Sequence, residues 1–420
     1  MRLTHLFILS LIVFFISSFK KKEKENNAWI RINLLGYKTS SPKVAVWCSK
    51  ENTPVKTFQL VDAATNKTVY TASASKAFGA YGPFTETHRL NFSAFKKSGK
   101  YYLQAGSVTS PQFIISDSAY KGAADFCLRY MRQQRSGFNP FLKDSCHTQD
   151  GYVLYGEKAG IKDSTKVDVV GGWHDASDYL QYATTSANAT YHLLMAYRDF
   201  PKVFTDEKLA NGLDGKNGLA DVLDEAKWGL DWLLKMHPSE NIMFNQIADD
   251  RDHQGMRIPK EDSFYGRGFE RPVYFLSGEP QQRGKFMNNT TGTSSTAGKF
   301  ASAFALGSII HNEIDKEYAV ELMDRAVSAI EFAEKKRGVT QTASVRSPYI
   351  YAEENWVDDL ALAYAASSAT INNWLKKQNT SMEEGPDGNL FLDSSYSYAQ
   401  QEPLTPWLGA DTAKHYQWYP

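Results

Sequence analysis

The chain has 420 residues, with 47 basic and 47 acidic side chains and a formal charge of zero. That balance gives no electrostatic case for nucleic acid or an anionic surface as partner. Its length suggests two domains, and three cysteines are too few, and odd in number, for a disulfide framework. Tyr, Phe and Trp are abundant at 23, 24 and 9; flat rings stack on sugars, but they also fill ordinary cores, so composition permits a carbohydrate enzyme without requiring one.

The first element reads as an export signal. Arg2 precedes an apolar run from Leu6 to Ile16, about the length of a signal-peptide core and too short to span a bilayer. Ser17 and Ser18 offer small residues for cleavage. Lys20, Lys21, Lys22 and Lys24 follow at once and oppose translocation, so the mode of release or anchoring stays open. Residues 1–27 are read as this targeting segment, and export to the periplasm, cell surface or medium is expected.

Residues 28–116 read as short strands at 30–34, 43–47, 58–61, 68–70, 88–92, 100–104 and 112–115. Gly, Pro, Asn and Lys-Ser-Gly turn signals separate them, which is the pattern of a small β-sandwich. From 117 to 420 the apolar period becomes helical, at about 119–134, 179–198, 219–236, 297–311, 315–335 and 355–368. Cys127 falls in the first of these patterns and is expected in the core. Asp221, Asp224, Glu225 and Asp231 are expected on a solvated face of the third.

Between the first two helices stand Cys146-His147 and the string Gly171-Gly172-Trp173-His174-Asp175-Ala176-Ser177-Asp178-Tyr179. Two carboxylates three residues apart would face one way on a helix, with Cβ atoms about 5–6 Å apart. That suits two acids sharing one water, and not an acid and a base on opposite faces of a sugar, which lie about 6.5–9.5 Å apart. One aspartate would then take the water's proton, with the acid supplied elsewhere. The same residues also suit a helix N-cap and its first turn. Further along come Asp249-Asp250-Arg251-Asp252-His253, then a polar, aromatic-dotted segment over 260–295 that suits a loop over a cleft. Glu354-Asn355-Trp356-Val357-Asp358-Asp359-Leu360 opens the last helix.

The string at 171–179 resembles the Gly-Gly-Trp-(His/Tyr)-Asp-Ala-Gly-Asp motif of glycoside hydrolase family 9, with Ser177 in the place of a Gly. Residues 28–116 resemble the immunoglobulin-like domain that precedes many of its catalytic domains, through Ile32-Asn33-Leu34-Leu35-Gly36-Tyr37 and Lys43-Val44-Ala45-Val46. The resemblance implies an all-β immunoglobulin-like sandwich followed by an all-α (α/α)6 toroid, and inverting hydrolysis of β-1,4-glucosidic bonds in cellulose or related β-glucans. It implies Asp178 as catalytic base, Asp175 as holder of the water, and His253 as a sugar-binding residue. Trp173 and Tyr179 join His253 as candidates for stacking on sugar, Trp173 with an equal claim to the core. A β-glucan is the expected partner, and a monomer the expected state. Xyloglucanase, exo-acting β-glucosidase or glucosaminidase specificity, and non-catalytic sugar binding, stay open.

No cofactor is expected for the chemistry. Relatives with the sandwich often hold a structural zinc through Cys, Cys-His and the His of Gly-Trp-His-Asp. Cys146, His147 and His174 match three of these donors, while Arg135-Ser136-Gly137 stands where the first Cys would be. A Ser hydroxyl is a poor substitute for a thiolate, so a metal-free cluster is expected. Several relatives bind calcium through paired acids at the place of Asp358 and Asp359, with Asp411 a third candidate; a helix-capping role is the expectation here. The family's acid Glu lies in an Asn-Glu motif near the end of its catalytic domain, and no such motif stands in that place. The chain is therefore expected to be C-terminally incomplete.

Overall fold

A computed structural model describes residues 27–377, apart from 177, 254, 256 and 347–349. They fall into two compact units, within 1–121 and 122–420.

The first unit is built from antiparallel strands. β1 (Ala28–Arg31), β2 (Val44–Ser49) and β5 (Glu86–Asn91) form one sheet, in the order β1-β2-β5. β3 (Thr57–Asp62), β4 (Thr68–Ser73), β6 (Gly99–Ala105) and β7 (Val108–Thr109) form the other, in the order β4-β3-β6-β7, with β8 (Phe113–Ile115) also paired to β6. Alternation decides which side chains are buried. Ala45, Trp47 and Leu90 come from the first sheet, Phe58, Leu60, Tyr101 and Leu103 from the second, and all join one core.

Six α-helices are described in the second unit: α1 (Ala123–Gln133), α2 (Ala183–Asp199), α3 (Asp221–Met236), α4 (Ser294–His311), α5 (Lys316–Lys335) and α6 (Val357–Lys377). α4 is rich in Ala, Ser and Gly and is buried on nearly every side, as expected of a helix without a polar face. Gly298 and Gly307 let it approach Asp359 and Leu230 closely. α1 behaves otherwise: it buries Leu128 and Arg132 but leaves Phe126, Cys127 and Tyr130 exposed, so Cys127 is not the core residue expected.

Short strands carry the loops between helices. β9 (Gly137–Asn139) pairs with β10 (Asp144–Cys146), setting Gly137 opposite Cys146. A four-stranded sheet has the order β11 (Tyr152–Leu154), β14 (Pro272–Phe275), β13 (Phe244–Ile247), β12 (Gln181–Tyr182). The segment expected as a loop over 260–295 therefore includes a wholly buried strand, because Val273, Tyr274 and Phe275 supply a short apolar run.

Candidate active site

The aspartate pair does not lie on a helix. α2 begins only at Ala183, with Tyr182 and not an aspartate at its N-cap position and no side-chain cap hydrogen bond there. The pair stands instead in an irregular loop closed by Asp175 N–H donating to Leu180 C=O at 2.8 Å. The Gly pair makes that loop fit. Gly172 has φ +69°, and a Cβ there would stand 2.5 Å from the indole of Trp232; only glycine meets both conditions without strain.

Asp175 is half-buried. Tyr351 Oη donates to its two carboxylate oxygens at 3.1 and 3.0 Å, and Thr185 Oγ1 to one of them at 3.3 Å. Burial pushes its carboxyl above the ordinary value and the charge of Asp178 adds to this, while the Tyr351 and Thr185 hydrogen bonds pull the other way. Asp178 accepts from Leu180 N–H at 3.3 Å, and its other oxygen lies 3.0 Å from His253 Nε2. His253 is therefore brought to the aspartates. Tyr351 is a neighbour that sequence reasoning missed, because 176 residues separate it from Asp175 and a Tyr in a loop carries no motif.

The two aromatic candidates fare differently. Trp173 is 4 % exposed. Its Nε1 donates to Glu225 Oε1 at 2.8 Å, and its ring lies where a Cβ on Gly229 would be, so it offers no face to a sugar and is corrected to a core residue. Tyr179 packs its ring near His147 and His174, with centroids 5.2 and 5.1 Å away, and the Arg257 guanidinium lies 5.0 Å from its centroid. Its hydroxyl donates to Arg257 C=O. It is an anchor of the loop.

Behind Trp173 three of the four α3 acids are also corrected, while Asp231 is exposed as expected. Asp221, Asp224 and Glu225 are buried, not solvated. Arg135 grips Glu225 with Nε and Nη2 at 3.2 and 2.8 Å, and Arg132 lies 3.2 Å from Asp221. Buried charges persist only when paired in this way. The helical period was right, but an Arg partner 90 residues distant leaves no local signal.

The comparisons with known proteins agree with this architecture. The pattern of glycosyl hydrolase family 9 matches residues 120–413, and that of the cellulase N-terminal Ig-like domain matches residues 25–110. The chain belongs to glycosyl hydrolase family 9. Its Ig-like β domain precedes the family 9 domain.

Among family 9 relatives, a cellodextrinase of Butyrivibrio fibrisolvens is 29% identical over 325 residues, covering 71% of this chain and 50% of that protein. A xyloglucan-specific endo-β-1,4-glucanase of Bacteroides ovatus is 31% identical over 226 residues, covering 51% of this chain and 37% of that protein. The crystal structure of a metagenome-derived family 9 endoglucanase superposes with a TM-score of 0.67 at 25% identity, covering 88% of this chain and 67% of that one. The chain thus spans about half the length of the cellodextrinase, and less of the xyloglucanase.

Cys146, His147 and His174 do come together, all buried, with donor atoms within 4.8 Å of one another. Cys146 Sγ lies 3.6 Å from His174 Nε2. His174 Nδ1 donates to Tyr179 C=O at 3.2 Å, and His147 Nε2 stands 3.3 Å from Asp262 Oδ2. Burial lowers both imidazoles below their ordinary value and raises the Cys146 thiol. His147 Nδ1 and Ser136 Oγ are buried without hydrogen-bond partners. Three strong donors stand together among the described residues, and the residue bonded to Gly172 and preceding Gly137 is a serine. That set does not fit a closed four-donor zinc.

The paired acids of α6 are separated in role. Asp358 accepts from its neighbour Asn355 Nδ2 at 2.6 Å. Asp359 is half-buried with Lys299 Nζ at 2.7 Å, and Glu353 takes the same ammonium at 3.2 Å. Lys299 already supplies the cation that a calcium would bring, so these residues do not fit that ion. Asp411 lies outside the described residues.

Proposed function

We propose that this chain carries the water-activating half of an inverting β-1,4-glucan hydrolase. The observation that carries the reading is the aspartate loop: Asp175 held by Tyr351 and Thr185, and Asp178 beside it with an oxygen toward His253. Asp178 takes the proton of the attacking water. Asp175 fixes that water through its second oxygen lone pairs, while Tyr351 keeps its carboxylate oriented. His253, exposed at the mouth of the loop, meets a sugar hydroxyl. This division of labour is what an oxocarbenium-like transition state requires of carboxylates on the water side of the ring.

The reading extends to the setting of the site. A core built around α4, with α2, α3, α5 and α6 packed about it, supports an (α/α)6 toroid as the architecture of the second unit. The basic and apolar start of the chain supports export, and the zero net charge suits an uncharged polysaccharide as substrate; a monomer belongs to the same reading. Relatives named cellodextrinase and xyloglucan-specific endoglucanase make cello-oligosaccharides, β-glucan and xyloglucan the substrates to test. Incubation of the chain with each, followed by product sizing, separates the specificities. A spread of oligosaccharide lengths supports endo action; glucose or cellobiose alone supports exo action. Absence of cleavage, with retained binding, would favour a sugar-binding protein.

A further inference from the structure

Every polar group of Tyr179, the residue after Asp178, is tied down. Its carbonyl accepts from Arg271 and from His174, its hydroxyl donates to Arg257 C=O, and its N–H donates to Asp252 Oδ2 at 2.9 Å. Asp252 is buried, and its carboxylate is ion-paired with Arg257. Arg257 is fixed in turn by Asp262, with Nε and Nη2 at 3.0 and 3.1 Å from its oxygens. Asp262 also stands 3.3 Å from His147 Nε2. The residue after Asp252 is His253, whose Nε2 reaches Asp178.

We propose that Asp252, locked by Arg257, is the positioning residue for Asp178, an inference that rests on the reading of Asp178 as the base. It works from two sides. Its carboxylate fixes the backbone just past Asp178 through the Tyr179 N–H, and its chain neighbour fixes the Asp178 carboxylate through an imidazole. A loop without helical hydrogen bonds needs such ties, beside the Leu180 N–H contact to Asp178, to set this side chain to within the fraction of an ångström that proton transfer needs.

The test uses β-cellobiosyl fluoride and the 420-residue chain. Fluoride leaves without a proton, so its hydrolysis depends on water activation and not on a general acid. Asp252→Ala is expected to lower kcat by about 10- to 100-fold, with KM nearly unchanged. Asp252→Asn keeps an acceptor oxygen for Tyr179 N–H and is expected to recover part of that loss. The deciding comparison is made in an Asp178→Ala background supplied with azide, which attacks without deprotonation. If Asp252 acts through Asp178, adding Asp252→Ala there changes the azide rate by no more than about twofold, since coupled residues are non-additive. An equal loss in both backgrounds, or full kcat in Asp252→Ala, overturns the proposal. Should Asp252→Ala fail to fold, Asp252→Asn carries the same comparison. If Asp178→Ala alone keeps normal turnover, the reading of the base fails, whatever Asp252 does.

Discussion

Asp175 and Asp178 differ in what holds them. Three hydrogen-bond contacts from Tyr351 and Thr185 to Asp175 offset the tendency of burial to keep it protonated. Tyr351→Phe removes the larger share of that offset. The Asp175 carboxyl then titrates at higher pH, so the acid limb of the kcat/KM profile on β-cellobiosyl fluoride should move upward. Turnover should fall on the order of tenfold, the size of one hydrogen bond to a charged group. An unmoved acid limb would mean that Tyr351 does not act on Asp175. The aspartates and His253 were legible as residues because chemistry fixes their types and spacing. Tyr351, Asp252 and Arg257 were not, because their partners are set by tertiary packing alone.

At the scale of elements, the strands of the first unit and the helices of the second follow from period 2 and period 3.6, and sequence places most of them well. It fails where an element's surroundings decide. Asp221 and Glu225 of α3 look solvated on a helical wheel, yet they meet Arg132 and Arg135, and the apolar stripe of α1 looks buried, yet Phe126 and Tyr130 are exposed. The Cys146–His147–His174 cluster joins β10 to the aspartate loop. With three strong donors, it is expected to hold no tightly bound zinc, so a chelator should leave the thermal midpoint of the chain unchanged. Ser136→Cys supplies a second thiolate and should bind one equivalent of zinc, raising that midpoint. Co-purification of the unsubstituted chain with stoichiometric zinc, lost on chelation together with stability, would contradict this.

For the whole molecule, acid stability follows from groups buried away from their ordinary titration. Burial lowers His147 and His174, and brings His237 and His311 to about 4. The unfolded chain protonates these four near pH 6.5, so acidification below that value favours unfolding. Burial acts oppositely on Asp224 and Asp359, raised to about 6 and about 7. The fold keeps their protons through the window above about pH 4, where the unfolded chain has released them, so they favour the fold as pH falls from 7. The two effects oppose each other, and the four histidines outweigh the two acids. The thermal midpoint should fall as pH drops from 7 through 5, the acids offsetting part of the loss, and less steeply in a His311→Asn variant. A midpoint that rises steadily on acidification to pH 4 would contradict the assignment. The central claim, that Asp178 activates water for inverting attack, is tested most directly by proton NMR of β-cellobiosyl fluoride hydrolysis. The first product should be the α-anomer of cellobiose. Asp178→Asn should lose about 10²–10⁴-fold in rate, and Asp178→Ala with azide should yield the α-glycosyl azide. A β-anomeric first product, or an Asp178→Asn chain as fast as the parent, would contradict it.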